Sequence, residues 1–536
     1  MDTFLKNYWS LYLDFLKDFE KLTYKGYSLP YLCHLPSFIL KNESLLSELD
    51  HKTFANKLKR QVNDQKEFQE VFNTFMQSHQ RPLVKNKQGK VVIHYDKLLR
   101  FPVTTLSDYF DPSRTILLTK GNKSKIEKAR KAAKKRKQQK SKVPSKTKNL
   151  KGKNKAKAKL LDNTVNLKGK KTKKNAIQKV STKANNNTSV KKVKKPKPPK
   201  KKIPFYHLSI HAVDTKNVTT QVQNKAKTML RAYEDHHLYK RSDFQTWFLN
   251  NIATVIYHLE MTRNFLKTVS VSCVVVSTTH SFRSRILALV AAEKGIPTIC
   301  MQHGIISSEL GYIPKIATID AVYGNFEKNW YKKIGAPDGS VEVIGHPRFD
   351  QIFSSPKLTR SQFYQKLGLD PNKKTIMIAV REARNEDKWR TLIETISKKI
   401  NLNILIKNYP SSIPHSLTKE FSFVYSTQNY NMYDLFPYVD AVVTYSSTVG
   451  LEAMFAKKNV FILKEDIAGY TGYYEGLDKL VQTDPTVLGN YIIEYFSQPN
   501  FKSYAESKRI NFLANAYPDS RKSGARLRIW INRLIY

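Results

Sequence analysis

His303 stands directly after the apolar run Thr298-Ile299-Cys300-Met301, with Gln302 before it and Gly304 after it. An imidazole at the end of a short buried strand can take a proton from an acceptor hydroxyl near neutral pH. Glycine at 304 lets the backbone turn away and leaves the ring facing a cleft. The plainer alternative is a histidine that only bonds its own loop. A second concentration of chemistry is Tyr445-Ser446-Ser447-Thr448-Val449-Gly450-Leu451-Glu452. The hydroxyls of Ser446, Ser447 and Thr448 open a helical pattern that runs through Leu451, Ala453 and Met454. Free amides and the positive end of a helix dipole make such a start a seat for phosphate. Glu452, one turn in, has a carboxylate able to accept two ribose hydroxyl protons. It lies four residues after Thr448, whereas a capping box needs three, which weakens capping as its explanation. A solvent-facing glutamate favoured by the dipole stays open. Arg381 follows one predicted strand and Lys407 ends the next, so both would sit where a departing diphosphate needs positive charge. Either could equally be an ordinary surface cation.

These residues are positioned by an alternation of strands and helices. Val271–Ser277, Thr298–Met301, Ile319–Tyr323 and Val341–Ile344 read as strands, with helices at Phe282–Lys294 and Phe326–Ile334. The pattern restarts after His346-Pro347-Arg348. Thr375–Val380, Asn403–Lys407, Phe421–Val424, Ala441–Thr444 and Val460–Leu463 are the next strands, with a helix at Glu386–Lys398. Two such runs predict two doubly wound α/β units, whose ligands bind beyond the carboxyl ends of the strands. Ahead of them, residues from Asp2 to Gln80 carry helical spacing and the stretch to Pro112 is mixed. Ile116–Leu118 and Tyr206–Ile210 are strand candidates, followed by long helices near Val218–Tyr239 and Asp243–Leu266.

Composition separates one segment from the rest. The chain has 536 residues and a net charge of +48. Between Lys120 and Lys202 there are 34 Lys and Arg against Glu127 and Asp162, about two-thirds of that excess. From Gly121 to Pro199 there is no aromatic residue, so the segment cannot bury enough apolar area to offset its ordering entropy and is expected to be disordered. It must attract polyanions. Without aromatics or a recognition fold, an anionic membrane surface or polymer is favoured over nucleic acid as its partner; a solvated linker is the plain alternative. Cys33, Cys273 and Cys300 suggest neither a disulfide framework nor a zinc site, and a reducing compartment fits them. The first residues do not read as a signal peptide and no stretch is long and apolar enough to span a membrane. The expectation is a cytoplasmic protein, peripheral on the inner face of the cell membrane.

MQHG (301–304), VIGHPRFD (343–350) and DLFPYVDAVVTYSSTVGLEAM (434–454) together resemble the GT-B glycosyltransferases, above all the CDP-glycerol glycerophosphotransferases and the surface or capsular polysaccharide transferases. The likeness covers roughly Ser270 to Leu463 and is weak outside it. It implies two Rossmann-like domains, with a helical N-terminal region over 1–119, the Lys-rich insertion at 120–203, the acceptor domain continued over 204–349, the nucleotide-donor domain over 350–515 and a C-terminal helix at 516–536. It also implies His303 as base, Glu452 on the ribose and Ser446, Ser447 and Thr448 near phosphate, with Arg381 and Lys407 in support. Gln302, Gly304, His346 and Arg348 are additional site candidates. GHPRFD would mark the crossover between domains, and relatives often carry Asn where His346 stands. Related transferases read Lys-x-His-Pro where this chain has Lys407-Asn408-Tyr409-Pro410, which bears on the donor contact.

The activity so implied is transfer of a sugar or polyol-phosphate from a nucleotide-activated donor to a cell-envelope glycan or teichoic-acid-like acceptor. It would be inverting, with neither a cofactor nor a tightly bound metal, and no DxD-like pair argues otherwise. A nucleotide-sugar 2-epimerase of the same fold, and a polyanion- or nucleic-acid-binding protein with an inactive transferase fold, are the alternatives.

Overall fold

Val271–Val276 and Thr375–Val380 are buried at every position, as strands covered by helices on both faces must be. A computed structural model describes residues 1–121, 202–409, 411, 413–518 and 521–536. They belong to one unit, Met1–Asn122 with Lys201–Tyr536. The expectation of disorder between Gly121 and Pro199 falls almost wholly outside the described residues.

The first sheet contains β1 (Lys90–His94), β2 (Thr115–Thr119), β3 (Phe205–His207), β4 (Val271–Val276), β5 (Thr298–Met301), β6 (Ile319–Val322) and β7 (Val341–Val343). All are parallel, in the order β3-β2-β1-β4-β5-β6-β7. The second contains β8 (Thr375–Val380), β9 (Asn403–Asn408), β10 (Val424–Ser426), β11 (Ala441–Thr444), β12 (Asn459–Leu463) and β13 (Val481–Gln482). They are also parallel, in the order β10-β9-β8-β11-β12-β13. Each sheet therefore reverses direction once, between β1 and β4 and between β8 and β11. Those two switch points open the crevices in which doubly wound sheets bind ligands. The architecture is of the GT-B type.

Sequence spacing missed β1 and misplaced β10. Lys90–His94 has only three fully buried residues between polar ends, too short a run to stand out, yet it pairs with both β2 and β4 at the centre of the sheet. Phe421 and Phe423 suggested a strand start, but Phe421 closes a short helix through its amide bond to Leu417 O (3.1 Å), and pairing begins only at Val424.

Helix α1 (Thr3–Asp18) packs aromatic residues against α2 (Ser242–Thr268): Phe15 meets Phe248 at 5.1 Å between ring centroids. The N-terminal helices also reach the candidate site. Trp9 Nε1 donates to Glu309 Oε1 (2.5 Å) and Gln65 Nε2 to Oε2 (2.7 Å), fixing the loop that follows His303. Helix α3 (Phe282–Glu293) follows β4, and α4 (Thr448–Phe455) follows β11. Helix α5 (Pro499–Ala516) borders the second sheet, and α6 (Ser523–Ile535) returns to the first, burying Leu527, Ile531 and Ile535 with Ile93, Val275 and Ile299.

The return is set by the GHPRFD stretch. Gly345 has φ +72°, and a Cβ there would collide with Tyr517 and lie 2.6 Å from Arg526 Nη2, so only glycine lets the chain ends pass. Asp350 accepts the amide protons of Ser523 (2.7 Å) and Gly524 (2.9 Å), capping α6 with a buried carboxylate. Asp350→Ala is expected to lower stability by about 1–2 kcal/mol, the scale of a lost helix cap. Equilibrium denaturation measures it, and an unchanged midpoint would remove the cap from the account.

Candidate active site

The largest concentration of predicted site residues borders a cleft of about 680 Å³ between the two sheets. From the first half come Arg100, Gly304, Ile305 and Ser307; from the crossover Arg348 and Gln351; from the second half Arg381, Lys407, Tyr409, Tyr445, Ser446, Ser447, Thr448 and Glu452, among others. Four cations and one carboxylate line it, so its field favours an anion.

The helix start at α4 is more self-contained than its sequence suggests. Ser447 is the N-cap, its Oγ accepting from Val449 N (3.3 Å). Tyr474 OH accepts from Leu451 N (3.1 Å) and donates to Ser447 O (2.5 Å). Thr448 Oγ1 accepts from the amide of Ile305 (3.2 Å), tying the donor helix to the loop after His303. The close approach of these segments is also the use of Gly304, where a Cβ would sit 3.2 Å from Tyr312 OH and 3.5 Å from Thr448 Oγ1. Of the three predicted phosphate hydroxyls, Ser447 and Thr448 are engaged. Ser446 Oγ is buried with no partner among the described residues.

Glu452, 4% exposed, is held rather than free. Arg348 Nη2 lies 3.2 Å from its Oε1, and Tyr433 OH donates to Oε2. A carboxylate has lone pairs beyond those two contacts, so a ribose hydroxyl can still donate to it. Arg348, also 4% exposed, keeps Nε and Nη1 buried without a partner among the described residues. Burial opposes its charge, but Tyr323, Glu452 and Tyr433 outweigh that and raise its pKa. This guanidinium, with two unpartnered donors, and the unpartnered Ser446 hydroxyl line the same cleft, groups of the kind that can hold an anion.

Lys407 takes a different role from the one its position at a strand end suggested. Its ammonium donates to the carbonyls of Thr427 (3.0 Å), Gln428 (3.3 Å) and Tyr430 (2.7 Å), so all three N–H groups shape the loop beneath the cleft. Burial lowers its pKa. Arg381 is exposed on the cleft rim. The Arg100 guanidinium lies 5.2 Å from the Tyr409 ring centroid, a cation–π contact between the two halves; Pro410 lies outside the described residues. Arg100 (φ +50°) and Tyr433 escaped the sequence reading. Arg100 follows the unrecognised β1, and Tyr433 meets Glu452 only through the fold.

His303 borders a separate narrow cavity of about 10 Å³, room for one water, with Thr278, Thr279, His280, Gln302 and Tyr312. Its ring stacks on Tyr312 at 4.9 Å with planes 12° apart. Burial, then the charges of Arg100 and Arg348, hold its pKa down to about 4 against the opposing pull of Asp96. The imidazole is neutral at physiological pH and so in its proton-accepting form. Gln302 and His346 each hold backbone groups of the turns around them. Gln302 donates to Gly304 O (2.7 Å) and Glu327 Oε1 (2.9 Å) and receives Tyr323 N (3.0 Å). His346 Nδ1 accepts from Arg348 N (3.1 Å), capping the turn that aims Arg348. An asparagine oxygen can make that same cap.

The halves are clasped beside His303. Thr471 N donates to Ser307 O (3.2 Å), Glu309 N to Gly469 O (3.2 Å) and Ser308 Oγ to Ala468 O (2.7 Å). A match to the lipid-A-disaccharide synthetase family covers residues 321–464, from β6 to just past β12. The matched span includes Arg348, Arg381, Lys407, Ser446 and Glu452. The lipid-A-disaccharide synthase of Geobacter metallireducens is 30% identical over 160 residues, 26% of this chain; the chain spans 39% of that protein's length. Among solved structures, the wall teichoic acid polymerase TagF is similar at 16% identity and a TM-score of 0.36, covering 52% of this chain and 74% of its own. The UDP-GlcNAc 2-epimerase from Neisseria meningitidis, bound to UDP-GlcNAc, is similar at 14% identity and 0.40, covering 53% and 81%. Among the described residues no helix is long and apolar enough to cross a membrane.

Proposed function

We propose that the protein transfers a sugar or polyol-phosphate from a nucleotide-activated donor to a cell-envelope glycan or teichoic-acid-like acceptor. One observation carries this reading: buried Arg348 and Ser446, each with unpartnered donors among the described residues, line the same cleft as the anchored Glu452, at the switch point between β8 and β11. The donor phosphate sits on Arg348 Nε and Nη1 and Ser446 Oγ, and a ribose hydroxyl donates to Glu452. His303 takes the acceptor hydroxyl proton, the acceptor oxygen attacks the donor carbon or phosphorus, and the bond to the nucleotide phosphate breaks. Negative charge then collects on the leaving phosphate, where Arg348 stabilises it and Arg381 and Arg100 add rim charge. The path needs no metal, and inversion follows from a single displacement.

A thermal-shift screen of CDP-, UDP-, GDP- and CMP-linked compounds tests the reading. Stabilisation by one of them is expected, and Glu452→Ala should weaken that binding by about 10-fold or more, the scale of a hydrogen bond to a charged group. If no nucleotide conjugate stabilises the protein, the donor site is refuted. Conversion of a nucleotide sugar without any acceptor would assign a 2-epimerase instead.

A further inference from the structure

We propose that the first sheet carries a second anion site, at its own switch point between β1 and β4, which binds a phosphate group of the acceptor. The acceptor role rests on the transferase reading above; phosphate binding itself does not. His94 ends β1, and the loop after β4 leads through Ser277 into α3. Ser281 caps α3 by accepting from Ser284 N (3.3 Å), while the amides of Phe282 and Arg283 take no partner among the described residues. Arg283 lies over the Phe282 ring (4.8 Å), its Nε buried and unpartnered among the described residues.

The second observation comes from a different element. His258, in α2, is only 4% exposed, packs edge-on against Phe282 at 5.1 Å, and has Nδ1 buried without a partner among the described residues. Burial, then Arg283, Lys120 and His94, push its pKa down to about 3. Lys120 follows β2, and His94 Nδ1 lies 3.3 Å from Ser284 Oγ. The nearby carboxylate, Asp96, is 3.8 Å from His94 but is spent on its own loop: it accepts from Ser277 Oγ (2.6 Å) and from the amides of Leu98 and Leu99 (2.9 Å each). A helix start, a buried imidazole with an unpartnered nitrogen and the positive charges of Arg283 and Lys120 acting on it thus gather here, and the carboxylate nearest His94 is already committed. The same loop carries Arg100 to the donor cleft, so the two places are joined by one short segment of chain.

The test follows the His258 ring by NMR in the histidine-labelled full chain, with inorganic phosphate in one arm and dimethyl phosphate in the other. Phosphate is expected to raise the His258 titration midpoint by about 1–3 pH units, the effect of a close opposite charge. Arg283→Gln should abolish the rise and Lys120→Ala, an exposed position, should reduce it; the second variant decides if the first does not fold. A response to inorganic phosphate alone identifies a terminal monoester, and a response to both a phosphodiester polymer. A wild-type midpoint unmoved by either ligand, or a rise of equal size in both variants, overturns the site. Ser446→Ala should keep the His258 response while losing nucleotide affinity, so a failed subsite and a failed donor site give different results.

Discussion

Arg348→Met is expected to cut turnover by about 10²–10³-fold, the cost of removing one preorganised donor from a developing oxyanion. The residue has two jobs, and the substitution disturbs both. Its open Nε and Nη1 are the donors assigned to the leaving phosphate, and its Nη2 neutralises the buried Glu452. Breaking a buried pair from one side costs about 3–5 kcal/mol, because the remaining charge is left uncompensated. The single variant will therefore also be less stable. Arg348→Met combined with Glu452→Gln removes both charges and should regain most of that stability, since a hydrophobic replacement of a buried pair is often neutral. Turnover should stay low in the double variant. Denaturation midpoints and steady-state rates on the same preparations separate the two effects. A stable double variant with wild-type turnover would take Arg348 out of the reaction. Arg348→Lys should not rescue, because a single ammonium cannot reach Glu452 and a phosphate with a planar fork.

His303→Ala should lower turnover by about 10²–10⁴-fold while leaving nucleotide affinity unchanged, as expected for a general base outside the donor seat. Its pH signature is specific. With the His303 pKa held at about 4, the imidazole stays unprotonated through neutral pH, so kcat/KM should have its acid limb near 4 rather than 6.5. Stability follows the same group with a definite sign. A histidine whose folded pKa lies below its unfolded value contributes stability that is complete above about 6.5 and is lost as pH falls through the folded value. His34 and His258, both held near 3 by burial, act in the same direction. The fold should therefore weaken progressively below pH 6.5, and His303→Ala, with one fewer buried imidazole to charge, should tolerate acid slightly better. Short rate assays beside circular dichroism at each pH keep the two effects apart. Unchanged turnover in His303→Ala, or an acid limb at 6.5 in a fully folded wild type, would exclude His303 as the base.

The alternation of buried strands and helices was legible along the chain because parallel strands covered on both faces must be continuously apolar, and Thr298–Met301, Thr375–Val380 and Ala441–Thr444 emerge with the bounds their sequence announces. That alternation is enough to place His303, Arg381 and Ser446 after strand carboxyl ends, hence on one side of their sheets. What the residue types could not reveal is which polar groups are already spent. Lys407, Thr448 and Ser447 have the right chemistry in the right place, yet carbonyls, the Ile305 amide and the helix end consume them. Arg348 looked secondary because its partner, Glu452, lies far along the chain and only the fold brings them to 3.2 Å. Tyr433 and Arg100 likewise acquire their meaning from elements packed against them. Sequence determined the sheets and the edge at which chemistry occurs, because burial patterns are local. Tertiary structure decided which donors remain open at that edge, because hydrogen-bond satisfaction depends on groups distant in the chain.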